Sequence, residues 1–201
     1  MSPHPQSAST RLLTLALLLA ALGCLKPASP VTYHTLNAVS LPVAKPGPGA
    51  ALAVEVLPVR LPDMLQRPQL VTALGPDRLA LAPGQRWGNA LEKDMQRVLV
   101  ENLTALLGSD RVVAAPYGVR VNAAFRVEVE VQRCEGRPGG PFRFQATWMI
   151  TAGKAETAVV LRKTVLETQV PGPDAESLVA AHNAALATLS REIAAGLTSQ
   201  P

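Results

Sequence analysis

Hydrophobic and polar positions alternate most cleanly from Val119 to Gln132. Val119, Val121, Ala123, Phe125, Val127, Val129 and Val131 take one parity; Arg120, Asn122, Arg126, Glu128, Glu130 and Gln132 take the other. A period of two puts these sets on opposite faces of a strand, one dry and one wet. The pattern returns in Phe142, Phe144, Ala146, Trp148 and Ile150 after the turn EGRPGG. Residues 158–170 follow the turn AGKAET. Three such runs joined by short turns predict an antiparallel meander.

Upstream, residues 51–61 (ALAVEVLPVRL) are apolar on both faces and read as a buried strand, with Pro58 opposing full ladder pairing. QLVTAL and RLALAPG flank the turn Gly75-Pro76-Asp77 as two short strands. Then the period changes. Leu91, Met95, Val98, Leu99, Leu103, Leu106 and Leu107 recur at three- and four-residue steps, which predicts an amphipathic helix with Asn89 as N-cap and Gly108 as stop. RVVAAP reads as a short strand. Leu178, His182, Ala185, Leu186, Leu189, Ile193 and Leu197 share one face of a closing helix capped by Asp174. Strands, helix, strands, helix predict an α+β two-layer sandwich: a mixed, largely antiparallel sheet with both helices on its apolar face.

The N-terminus has a different logic. Arg11 precedes an apolar run, Leu12–Leu22, that is too short to span a bilayer, and Gly23-Cys24 follows. This is the layout of a secretory signal. Ala21-Leu22-Gly23-Cys24 resembles a bacterial lipobox, so residues 1–23 are expected to be a lipoprotein signal peptide and Cys24 the lipidated residue. A cysteine carrying two or three acyl chains anchors stably where a single chain does not. Leu25 at the next position leans toward the outer membrane under the sorting rule of that class. Residues 24–50, which include PVAKPGPG, are expected to be a tether of up to roughly 85 Å. The segment VTYHTLNAV within it is extended enough to add an edge strand. Residues 51–201 would then form one domain.

Composition narrows the function more than it names it. Removal of the signal leaves 178 residues with 18 Lys+Arg against 15 Asp+Glu, too weak and scattered an excess to argue for nucleic acid. Once Cys24 is acylated, Cys134 has no partner in the chain and reads as a buried free thiol near a strand end. His182 stands alone on an apolar helix face, where a histidine is more often core than catalyst. No metal set can be assembled from it and one cysteine. There is no nucleophile elbow and no phosphate loop. Glu128 and Glu130 beside Arg126 read as a solvated charge ladder rather than a carboxylate pair. Trp87 and Trp148 read as core anchors. An enzyme, a metal and a dissociable cofactor are therefore not expected; the one attached group is the lipid on Cys24.

The segment VRLPDMLQRPQLVT places two apolar residues between two prolines. Pro68 disfavours helix at Arg67, and Pro62 is tolerated only in a first helical turn. PDML can thus form at most one turn, which would present Met64 and Leu65 on a short, stiff knuckle at a sheet end. One or both of these side chains tuck over the core, or Pro62, Met64, Leu65, Arg67 and Pro68 form a docking knuckle whose stiffness limits the entropy lost on binding; both hold if Met64 and Leu65 take one role each.

This run resembles the signature of the PqiC-type (paraquat-inducible) lipoproteins, the auxiliary lipoprotein family of ABC-type intermembrane lipid transport systems. Pro62, Leu65, Arg67, Pro68, Gln69, Leu70 and Val71 match; Met64 replaces the usual aromatic residue and Gln66 the usual aspartate. YHTL, RWGNALEKDMQRVLVENLTALL and LVAAHNAALATLSREIA resemble further stretches of that family, so the likeness covers nearly the whole mature chain. The resemblance implies a non-enzymatic lipoprotein on the periplasmic face of a Gram-negative outer membrane. It would dock a protein bearing MCE domains that conducts lipid across the periplasm. The rival reading is a lipoprotein that binds lipid or cell wall on its own. Homo-oligomerisation, the transported lipid and its direction are left open by the sequence.

Overall fold

In the computed structural model, which describes residues 30–39, 51–116, 122–152 and 158–200, the chain runs β1 (Thr32–His34), β2 (Val54–Val56), β3 (Gln69–Gly75), β4 (Arg78–Trp87), α1 (Leu91–Leu107), β5 (Val112–Ala114), β6 (Phe125–Gly136), β7 (Pro141–Ala152), β8 (Ala158–Gln169) and α2 (Ala175–Thr198). The predicted meander is present. β6 and β7 pair antiparallel from Phe125↔Ala152 to Gly136↔Phe142, and β7 and β8 pair from Pro141↔Gln169 to Thr151↔Ala158. Val127, Val129, Val131, Phe142, Phe144, Trp148 and Ile150 are buried on one face. Val119, Arg120 and Val121, predicted to begin the same strand, lie outside the described residues.

The other edge of β6 is shared, and this forks the sheet. Along its first half β6 pairs in parallel with β2 (Val54↔Phe125 to Val56↔Val127), and β2 passes the sheet on to β5. At its far end Gly136 pairs with Thr72 of β3, and β3 passes the sheet on to β4 and β1. The mixed, curled sheet of eight strands follows from that division.

Local chemistry explains where the strands depart from expectation. The predicted strand over 51–61 is regular only at 54–56. Pro58 offers no N–H, so the edge pairing passes over it: Leu57 N–H before it donates to Val127 O at 2.9 Å, and Arg60 N–H after it donates to Val129 O at 3.0 Å. β4 runs beyond Gly84 to Trp87 instead of ending there. Gly84 has φ 69°, which glycine adopts without Cβ strain, and its register slips between Val71↔Leu81 and Gln69↔Arg86. β6 continues past Gln132 to Gly136 through a similar slip between Val131 and Arg133.

Both helices lie against the apolar face. Leu178, Leu186, Leu189 and Ile193 of α2, and Met95, Val98, Leu99 and Leu103 of α1, join the buried strand residues in one cluster. Full burial of each large aliphatic side chain contributes about 1.5–3 kcal/mol. Asp174 caps α2 as predicted, its carboxylate accepting from Ser177 N–H at 2.8 Å. Gly108 closes α1 in the left-handed region. Asn89, however, is not the N-cap of α1. Ala90 holds that position without a side-chain bond, and Asn89 instead donates its amide to Asp94 at 3.3 Å.

The segment VTYHTLNAV does supply an edge strand. β1 pairs in parallel with β4 from Thr32↔Gln85 to His34↔Trp87. Beyond it Leu36 is fully buried. Its N–H donates to Asp94 Oδ2 at 3.2 Å, and Arg97 donates to its carbonyl at 2.5 Å. Asn37 N–H then donates to Asn183 Oδ1 at 3.1 Å, so residues 32–37 are strapped across both helices.

Candidate functional site

The knuckle is an excursion from the edge of β6. The chain leaves at the bridge Arg60↔Glu130 and returns at Thr72↔Gly136: twelve residues of excursion against six of β6. Leu65 N–H donates to Pro62 O at 2.8 Å and Gln66 N–H to Asp63 O at 3.2 Å, closing the single turn that the two prolines allow. The Gln66 side-chain amide reaches back to Leu61 O at 2.7 Å. A carboxylate at position 66 has no proton to donate there, so glutamine ties the loop in a way aspartate cannot. Trp87 N–H donates to Pro68 O at 2.7 Å and fixes the far end to β4.

The side chains divide accordingly. Leu65 is 3% exposed and Leu61 is also buried; both belong to the core. Met64 is half-buried and packs on that core. Pro62, Asp63, Gln66, Arg67 and Pro68 are exposed. Leu65 is thus a peg that holds the knuckle down, and the face it offers is made of Pro62, Arg67 and Pro68 with the edge of Met64. Cys24, the candidate lipidation site, lies outside the described residues.

The wet face of the meander carries a charge ladder, and Arg60 adds a cation to it. Arg60 reaches Glu128 at 3.4 Å and Glu130 at 3.3 Å, and Arg126 pairs with Glu55 at 3.0 Å. Arg60 was legible only as part of an apolar strand. The bridge depends on β2 and β6 being parallel neighbours, which no local pattern encodes.

His182, Cys134 and both tryptophans are held in the core. His182 is buried between the edges of Trp87 and Phe142, with centroids 5.5 and 5.0 Å away. Its Nδ1 lies 2.8 Å from Leu178 O, and burial lowers its pKa. Cys134 is a buried free thiol within β6, pushed up by burial and then by Glu135. Such a thiol is poorly ionised and a weak nucleophile. Trp87 and Trp148 are buried anchors; Trp148 Nε1 donates to Thr164 Oγ1 at 3.0 Å, and Thr164 in turn donates to Glu192. Among the described residues no group of three His, Cys, Asp or Glu side chains converges as a metal site, and no helix is long and apolar enough to cross a membrane.

A cleft of about 380 Å³ lies between the β3–β4 hairpin and the β6–β7 turn, lined by residues including Leu74, Pro76, Glu135, Arg137, Pro141 and Arg143. Burial raises the Glu135 pKa, and Arg133, the Cys134 N–H and Arg143 oppose the shift.

Residues 34–194 match the model of the ABC-type transport auxiliary lipoprotein component family. The chain belongs to that family. The match spans β1 to α2 and agrees with the PqiC-type likeness. Two solved structures share the fold. One, a crystal structure of an uncharacterised protein, has TM-score 0.69 and 19% identity over 84% of this chain and 99% of its own. The other, protein XCC0632 from Xanthomonas campestris, of the DUF330 family model, has TM-score 0.61 and 14% identity over 84% and 92%. At these identities the likeness speaks for fold alone. No curated protein shows significant similarity to the chain.

Proposed function

We propose that this auxiliary lipoprotein is a non-enzymatic docking subunit, anchored through Cys24 to the periplasmic face of the outer membrane, that receives an MCE-domain tunnel protein of a lipid transport system. The observation that carries the reading is the knuckle. It is exposed on Pro62, Arg67 and Pro68, pegged by Leu65 and hydrogen-bonded at both ends. A surface already rigid loses little conformational entropy on binding, so a few contacts suffice. Family membership supplies the transport context, and the signal and lipobox supply the address.

The rival is a lipoprotein that carries lipid alone. The cleft beside Arg137 has the volume of a small-ligand site, about 300–1,000 Å³ being usual. Homo-oligomers are compatible with either reading.

Two measurements test the proposal. Cys24→Ser should shift the protein from the membrane fraction to the soluble one; unchanged partitioning contradicts the anchor. The domain purified without its signal should retain MCE-domain protein of the same host in a pull-down. Failure to do so, with lipid co-purifying instead, would favour the rival.

A further inference from the structure

Six residues separate Cys24 from Val31, where the compact unit begins. Fully extended they reach at most roughly 25 Å. A folded unit of this length has a radius of gyration of roughly 15 Å and is therefore roughly 40 Å across. That reach is shorter than the domain is wide, and β1 and buried Leu36 hold the chain from residue 32 onward. Anchoring at Cys24 thus holds the β1 edge close to the bilayer and keeps the opposite side away from it.

The surface at that edge has the right chemistry. His34 and Trp87 are buried, and His34 Nε2 lies 2.6 Å from Gln85 Oε1. The alternate positions point outward: Val31 is 45% and Tyr33 63% exposed. Across the strands Tyr33 pairs with Arg86, and Arg86 pairs with Gln69, giving one outward row. Arg86 is exposed and makes no ion pair among the described residues. Tyrosine, with its apolar ring and polar tip, suits the headgroup region, and arginine suits phosphate.

We propose that the row Val31–Tyr33–Arg86 seats on an anionic bilayer surface and fixes the orientation of the anchored domain. The inference rests on the anchor at Cys24, and the test is arranged to separate the two. The mature chain is coupled through Cys24 to a maleimide phospholipid, Cys134 being buried, so that a native lipid is not required. It is then attached to vesicles of neutral phosphatidylcholine alone or with phosphatidylglycerol. Hydrogen exchange of residues 31–37 and 84–88 should slow several-fold on the anionic vesicles, while β8 is unchanged. Arg86→Glu should erase the difference, and so should a twenty-residue Gly-Ser spacer inserted after Leu25. Equal exchange on both vesicles, or protection that survives the charge reversal, overturns the proposal. Failure of the native protein alone to associate with membranes would count against the anchor and leave this result standing.

Discussion

The Leu65 N–H donates to the Pro62 carbonyl at 2.8 Å. That bond turns the chain once between two prolines and drives the Leu65 side chain into the core while Arg67 stays outside. The two residues should therefore respond differently to substitution. Leu65→Ala should cost about 2–5 kcal/mol, the range for truncating a buried leucine, measured by urea unfolding of the purified domain. Arg67→Glu should change stability by no more than about 0.5 kcal/mol, as exposed sites do. If Leu65→Ala were neutral, the peg would not be holding the knuckle.

The division within the knuckle shows how far the sequence carries. Two prolines bracketing PDML limit it to one turn whatever surrounds it, and that much was legible. Which of Met64 and Leu65 would turn inward depends on the distance between the Arg60↔Glu130 bridge and the Thr72↔Gly136 pair, a tertiary relationship. The meander, the two amphipathic helices and the Asp174 cap were written in local period and capping chemistry. The fork of the sheet was not, because parallel pairing of β2 and β3 with β6 joins residues more than sixty positions apart. Arg60 and the outward pair Tyr33–Arg86 were hidden for the same reason.

Gly136 sits where the fork closes, and its missing side chain is filled by neighbours. A Cβ there would lie 2.8 Å from Phe142 Cδ2 and 3.1 Å from Leu178 Cδ1. Gly136→Ala should therefore destabilise by about 1–3 kcal/mol through overpacking. In a domain of this size that lowers the melting temperature by about 2–4 °C for each kcal/mol. An unchanged melting temperature would mean that Phe142 and Leu178 yield freely.

His182 should make the domain less stable in mild acid. Its folded pKa is lowered by burial, so below the unfolded value of about 6.5 the unfolded chain binds the proton more readily. This contribution is complete above about pH 6.5 and is lost as pH falls below it. Glu135 acts in the opposite sense. Its folded pKa is raised by burial, so its part declines as pH rises through the carboxylate range. Comparing His182→Gln with the native chain cancels Glu135. The urea midpoint of the native chain should drop from pH 7.5 to pH 5.5 by more than that of the variant. Equal drops would exclude His182 as the source.

The central claim is that the anchored domain receives its partner on the knuckle. A photo-crosslinking amino acid at position 67 of the full-length protein, expressed in its native host, tests this directly. Irradiation should join it to the MCE-domain protein, with no such product from the same group at Arg191 on α2. No adduct at position 67, or equal adducts at both positions, would contradict the account.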